Sequence, residues 1–263
     1  MTKTNKQRDA DRRTAAAARV AEMQRQQQTA ERRRRALVIT ASVVAVIVIV
    51  VGAVVLIKNH QSPKQVASQT VSGTTSSYGI VVGKSTAPVK MVAYEDFQCP
   101  FCEQFESTSG ATVSKYIDNG TLSVQYRPIA FLDQESSTNY STRALNAAAC
   151  VVNYTNSDTF KKFHDLLYQH QPAEQSAGLP NSQLVTYAKQ AGAGSTAVAN
   201  CINNGTFNNW TASATLAASK SPVMSQGLTT PTVLIDGNPV QSTVLLNPTA
   251  LASTIQAAAK NKP

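Results

Sequence analysis

The chain has 263 residues, of which 42% are hydrophobic and 15% charged, and its net charge is +9. This composition allows a packed core in one domain with appendages, or in two small domains. Residues 1–35 hold eleven Lys/Arg against four Asp/Glu, whereas residues 36–263 hold thirteen against eleven. The basic charge therefore belongs to a tail, and nucleic acid is not an expected partner of the rest.

The tail is followed by an apolar segment, residues 36–57, with no charged residue in 22 positions. As a helix it would span about 33 Å, enough to cross the hydrocarbon layer. A cleaved signal peptide is the alternative, but its apolar core is usually only about 7–15 residues long. We therefore predict an uncleaved transmembrane helix, with the basic tail in the cytoplasm and the remaining chain outside the cell membrane.

A Ser-, Thr- and Gln-rich stretch, residues 58–78, then reads as a flexible linker before a folded domain at 79–263. β-Branched or alternating segments predict strands, and runs without breakers predict helices. The predicted elements are a strand at 89–94, a helix starting at Cys99-Pro100, a strand at 122–126, a helical block at about 136–219, a hairpin at 232–241 turning at 236–238, and a helix at 248–260 with Asn247 as its N-cap.

Cys99 and Cys102 form a CxxC motif where a strand passes into a helix. The unpaired N–H groups and the dipole of a helix N-terminus favour a thiolate at the first cysteine, and Pro100 suits the first helical position. The second thiol, one turn along, can form a disulfide with the first. Such a pair can attack a substrate disulfide and resolve the product, or donate its own disulfide in the reverse sequence.

Other uses of the motif fit less well. Zinc needs about four ligands, and His60, His164 and His170 have no ligand-like spacing to the pair. Covalent haem attachment needs a histidine directly after the motif, where this chain has Glu103. We expect no metal and no cofactor; a purely structural disulfide stays open, because exported domains use them freely.

Two segments give the chain a family resemblance. Residues 79–102, GIVVGKSTAPVKMVAYEDFQCPFC, resemble the start of DsbA-like oxidoreductases, a branch of the thioredoxin superfamily that serves exported proteins. Residues 227–240, GLTTPTVLIDGNPV, resemble the second signature of that family. The resemblance implies an α/β thioredoxin-like fold with an inserted helical domain.

The same resemblance implies roles for individual residues. Cys99 would be the exposed nucleophile and Cys102 the buried resolving thiol. Pro231 matches the family's cis-proline, which lies opposite the active-site disulfide, and Thr230 would offer backbone groups to an extended substrate. From the sequence alone, Pro231 would be an ordinary loop proline, because only about 5–6% of X-Pro bonds are cis.

The chain departs from the family at two positions close to the motif. A buried acid found in relatives six residues before the first cysteine is replaced by Ala93, although Asp96 fits the family's Asp-Phe-x-Cys-Pro pattern. Glu95 is also nearby. Asp96 is interpreted as an active-site modulator, and the alternative for both acids is a solvated strand end or a charge at the helix entry. Phe101 stands where strongly oxidising relatives often have His, so Cys99 should be less acidic than in those relatives.

Cys150 and Cys201 both fall in the helical block. Two free thiols would be a liability in an oxidising compartment, so a structural disulfide between them is favoured. Some relatives carry a disulfide in this block. Two buried free thiols and a second redox relay stay open as alternatives.

The predicted function is disulfide introduction into exported proteins that contain cysteines, with a membrane-embedded partner reoxidising the chain. A reductase or isomerase of the same fold is the first alternative. The second is a non-catalytic extracytoplasmic binding module whose four cysteines form two structural disulfides.

Overall fold

A computed structural model describes residues 69–262. The predicted cytoplasmic tail, the transmembrane segment and most of the linker, up to residue 68, lie outside the described residues. Within 69–262, no helix has both the length and the hydrophobicity needed to span a bilayer.

A five-stranded mixed sheet, in the order β1-β3-β2-β4-β5, forms the centre of the domain. The strands are β1 (Ile80–Val82), β2 (Val89–Glu95), β3 (Leu122–Pro128), β4 (Thr232–Ile235) and β5 (Asn238–Pro239). β2 and β3 are parallel, whereas β1–β3, β2–β4 and β4–β5 are antiparallel pairs. A parallel pair needs a long crossover, which here is the helix that carries the CxxC motif.

Eight α-helices and two short 3-10 turns complete the described part of the chain. The helices are α1 (Pro100–Asp118), α2 (Tyr140–Tyr154), α3 (Ser157–Gln169), α4 (Asn181–Ala191), α5 (Thr196–Asn204), α6 (Asn208–Ser219), α7 (Ser242–Leu245) and α8 (Pro248–Lys260). Helices α2 to α6 form one block between β3 and β4, which confirms the predicted thioredoxin-like fold with a helical insertion. Asn247 caps α8, because its side chain accepts hydrogen bonds from the Thr249 and Ala250 amides.

The folded part begins earlier than predicted. Val71, which precedes β1, is buried. Thr74 also precedes β1 and forms an isolated antiparallel bridge with Ile80, the first residue of that strand. The Tyr78 ring meets Trp210 of α6 edge-on, with centroids 5.7 Å apart. Placing residues 69–78 in a flexible linker was therefore wrong. Their small polar side chains are typical of a linker, but the apolar side chains of Val71 and Tyr78 pack against the domain.

The predicted hairpin near the end of the chain forms with a shorter turn and a shorter second strand. Asp236 and Gly237 both have positive φ, 49° and 83°, as a two-residue turn between twisted strands requires. Asn238 belongs to β5 rather than to the turn, and β5 ends at Pro239. The strand expected at 239–241 is therefore shorter than predicted, although the Val240 amide still donates to the Val233 carbonyl at 2.8 Å.

Candidate redox site

Cys99 and Cys102 occupy the first turn of α1, at the end of β2. Cys99 is the N-cap and Pro100 the first helical residue. The Cys102 and Glu103 amides both donate to the Cys99 carbonyl, at 3.0 and 3.2 Å. Proline stops the extended chain at that point and fixes the φ angle of the first turn. Both cysteines are free thiols, placed where a helix N-terminus faces the first sulfur.

The loop before β4 lies against this first turn. The Thr230-Pro231 peptide bond is cis, and the Cys99 thiol lies 3.4 Å from the Thr230 carbonyl oxygen. On another side, the Gln171 side chain donates to the Cys99 carbonyl at 3.0 Å. The structure thus brings together Cys99, Cys102, Thr230 and Pro231, which are far apart in sequence.

Cys99 is less accessible than expected. Only 4% of it is exposed, against 0% for Cys102, whereas Phe101 between them is 66% exposed. The expectation of an exposed nucleophile is corrected, because the Thr230 loop and Gln171 close around the first turn. Phe101 instead presents an apolar ring to solvent next to Cys99.

The two thiols differ strongly in acidity. The hydrogen bond from the Cys102 thiol, with help from the Phe101 and Cys102 amides, lowers the pKa of Cys99 to about 6 despite its burial. Burial raises the pKa of Cys102 well above its usual value, and the hydrogen bond to Cys99 and the negative charge of Glu95 raise it further. Only Cys99 is therefore ready to react as a thiolate near neutral pH.

This difference predicts a pH profile for alkylation. In the reduced chain, the reaction of Cys99 with iodoacetamide should rise with pH around a midpoint near 6 rather than 9 and level off above it, because only the thiolate reacts. The Cys102→Ala variant should shift the midpoint upward, since it removes the leading hydrogen bond. A wild-type midpoint above about 8, the range of an ordinary thiol, would contradict the assigned geometry.

Asp96 is a buried hydrogen-bond acceptor rather than a solvated charge. It is 0% exposed. One carboxylate oxygen accepts from the Gln98 amide and the Ser141 hydroxyl, and the other accepts from the Phe131 and Leu132 amides at 3.0 and 3.1 Å. Burial raises its pKa to about 6, although these four bonds act in the opposite direction. Its side chain thereby joins the active-site turn to the start of the helical insertion.

Asp96→Asn should change how the stability of the domain depends on pH. Burial raises the pKa of Asp96 to about 6, so the free energy of unfolding of the wild type should fall as the pH rises from about 4, the ordinary pKa of the carboxyl group, through about 6, where the buried group becomes charged. The uncharged amide should lack this fall. Chemical denaturation at about pH 4.5 and about pH 7 would measure the difference. Asp118→Asn, at an exposed carboxylate, is the matched control, and should change stability by less than about 0.5 kcal/mol. Equal effects of the two variants would argue against the network.

The sequence analysis did not predict that Glu95 and His164 would be buried as a pair close to Cys102. Glu95, at the end of β2, is 1% exposed and His164 of α3 is 0% exposed. The His164 Nε2 atom lies 2.9 Å from Glu95 Oε2. Burial opposes charge on His164, but Glu95 holds the pKa of the histidine above its usual value. The signal for this pair in the sequence was Glu95, an acid at the end of an apolar strand. Its partner His164 is 69 residues away, so the pairing itself had no local signal.

Away from the first turn of α1, Cys150 of α2 and Cys201 of α5 are joined by a disulfide. Both residues are buried. The bond joins two helices of the insertion and is far in the chain from the first turn of α1. It therefore cross-links the helical block.

Comparisons with known proteins agree with this geometry. Residues 75–257 match the Thioredoxin_4 family, described as Thioredoxin. The structure of reduced DsbA from Mycobacterium tuberculosis is 31% identical, with a TM-score of 0.60, and the match covers 71% of this chain and 94% of that one. Reduced DsbG, a disulfide bond oxidoreductase from the same organism, is also 31% identical, with a TM-score of 0.60, over 70% and 89% of the two chains.

Two further relatives match over shorter stretches. The serine/threonine-protein kinase PknE of M. tuberculosis is 32% identical over 131 residues, 48% of this chain and 23% of the kinase. Disulfide bond formation protein D of Bacillus subtilis is 32% identical over 107 residues, 40% of this chain and 46% of that protein. The chain thus covers less than half of either relative.

Proposed function

Because this chain belongs to the thioredoxin family, in its DsbA-like branch of disulfide oxidoreductases, we propose that it introduces disulfide bonds into exported proteins through Cys99 and Cys102. The observation that carries this proposal is the asymmetry of the pair: an acidic thiol at the helix N-terminus and a fully buried partner with a raised pKa. A thiolate stabilised in the reduced form makes a dithiol couple more oxidising.

The exchange proceeds in two displacements. A substrate thiolate attacks the Cys99 sulfur of the oxidised pair, the Cys99–Cys102 bond breaks, and Cys102 leaves and takes up a proton. A second substrate thiolate then attacks the substrate sulfur of the mixed disulfide, and Cys99 leaves as a thiolate. The substrate loses two electrons and the pair gains them. The low pKa of Cys99 suits this last step, because a more acidic thiol leaves faster.

Thr230 and Pro231 are proposed to guide the substrate. The Thr230 carbonyl lies beside the Cys99 sulfur, so an extended segment bound along this loop would place its own sulfur in line with Cys99. The exposed Phe101 ring offers an apolar contact on the other side. Such a site suits unfolded chains, because it uses backbone and apolar groups rather than one side-chain pattern.

The reduction potential of the Cys99–Cys102 couple tests the direction of exchange. A donor should equilibrate with glutathione at about −120 to −180 mV, whereas a value near about −270 mV would indicate a reductase. Phe101→His should raise the potential by about 30 mV for each unit by which the pKa of Cys99 falls. Phe101→Leu, which adds no hydrogen-bond donor, is the matched control and should leave both values unchanged.

The location of the domain is part of the proposal. We place residues 36–57 across the cell membrane, the basic tail in the cytoplasm and the redox domain outside, where a membrane-embedded partner would accept its electrons. The support is the uncharged segment and the arginines before it. Protease added to intact cells should then digest the redox domain and spare the tail; protection of the redox domain until the cells are lysed would reject this topology.

A further inference from the structure

A second cluster of buried polar side chains lies next to the first turn of α1, which carries Cys99 and Cys102. It consists of Glu95 at the end of β2, Glu106 on α1 and His164 on α3, and is called the Glu–Glu–His cluster below. One ligand atom from each residue lies within 4.8 Å of the other two. None of these residues takes part in the two displacements described above, so the cluster needs an explanation of its own.

The histidine in this cluster is oriented by a neighbouring carboxylate. His164 Nδ1 lies 3.2 Å from Asp165 Oδ1, while Nε2 faces Glu95. A hydrogen bond from Nδ1 to a carboxylate orients the ring, and most metal-binding histidines are held in this way. A metal ion at Nε2 would replace the proton that this nitrogen shares with Glu95. Lys161 forms an ion pair with Asp165, so its charge is offset beside the cluster.

Two oxygens of the cluster lack a partner. Within residues 69–262, the buried atoms Glu95 Oε1 and Glu106 Oε1 make no hydrogen bond. The Glu95 side chain as a whole is 1% exposed. Leaving a buried acceptor unsatisfied costs about 1–3 kcal/mol, and more for a charged group. A divalent cation bound between the two carboxylates would give both oxygens a partner.

The cluster also has a route to solvent. Glu106, Lys161 and Asp165 line a partly open cavity of about 370 Å³. A hydrated ion can reach the Glu106 carboxylate from this cavity, and a water molecule there can occupy a coordination position that the protein leaves open.

We propose that Glu95, Glu106 and His164 bind one divalent transition-metal ion, for which zinc is the best match. Zinc binds histidine nitrogen and carboxylate oxygen at about 2.0–2.2 Å, commonly with three protein ligands and a water. Calcium and magnesium prefer oxygen ligands alone, which disfavours them at a site with an imidazole. The cluster uses no cysteine, so it is separate from the zinc site that the spacing around Cys99 argued against.

Zinc binding to the full 263-residue chain in mild detergent tests this proposal. The Cys99–Cys102 pair is kept oxidised, so that thiolates do not compete for the metal. Titration calorimetry with ZnCl2 should show one saturable site, and Co2+ in its place should give the visible absorption of a four-coordinate N/O site. Glu106→Gln and His164→Gln should each weaken binding at least about tenfold, the effect of 1.4 kcal/mol.

Matched controls separate this site from other ligands. Glu103→Gln, one turn earlier on α1, and His170→Gln, just after α3, should bind zinc like the wild type. Glu106 is only half buried, so Glu106→Gln should fold even if His164→Gln does not, and circular dichroism would verify this. No saturable binding to the oxidised chain, or wild-type binding by a folded Glu106→Gln, would overturn the proposal.

Discussion

Replacing Cys102 with serine is expected to turn a transient mixed disulfide into a stable one. Cys99 can still attack a disulfide substrate, but the thiol that would release it is gone. Turnover should fall by about three orders of magnitude or more, because the two thiols act as one unit. Incubation with an excess of a scrambled disulfide protein, followed by non-reducing electrophoresis and mass spectrometry, would show the covalent adduct.

Cys99→Ser is the matched control for this experiment. It should be equally inactive but form no adduct, because the raised pKa and complete burial of Cys102 keep that thiol from attacking. An adduct through Cys102, or turnover retained in either variant, would contradict the assigned order of attack. Absence of turnover in the wild-type chain would instead favour the alternative of a binding module with structural disulfides.

Removing the Cys150–Cys201 disulfide should have the largest effect on stability. The bond joins residues 51 apart in sequence. In the chain-entropy model, closing such a loop contributes about 4 kcal/mol. The double variant Cys150→Ala, Cys201→Ala should therefore unfold about 8–16 °C lower, by the usual scaling for a domain of this size.

The same variant separates a structural bond from a redox relay. If the disulfide only constrains the insertion, turnover measured well below the unfolding temperature should stay within about twofold of the wild type. A collapse of turnover in a folded double variant would instead indicate that electrons pass through Cys150 and Cys201. Ser107→Ala, at an exposed position on α1, serves as a control for both measurements.

Much of the fold could be predicted because its signals are local. Pro100 marks the start of α1, the β-branched run from Val89 marks β2, and Asn247 marks the start of α8; each acts within a few residues. β1 was missed because three residues carry no readable alternation. Residues 69–78 were misassigned because their composition resembles a linker, whereas Val71 and Tyr78 are held by partners distant in the chain.

The site was predictable only in part for the same physical reason. The CxxC motif carries its chemistry in four consecutive residues, and the family resemblance added Thr230 and Pro231. The environment of Asp96 depends on amides at 131 and 132 and on the hydroxyl of Ser141, so its burial could not be read locally. The pairing of Glu95 with His164 likewise depends on which face of α3 meets β2.

Both edges of the central sheet are short. β1 has three residues at one edge, and β5 has two at the other, ending in a proline that cannot donate to a further strand. An unfolded chain can pair with an exposed edge strand of a sheet, and such pairing leads to aggregation. With so little free strand at either edge, an unfolded chain bound at the proposed site would find few unpaired backbone groups with which to extend the sheet.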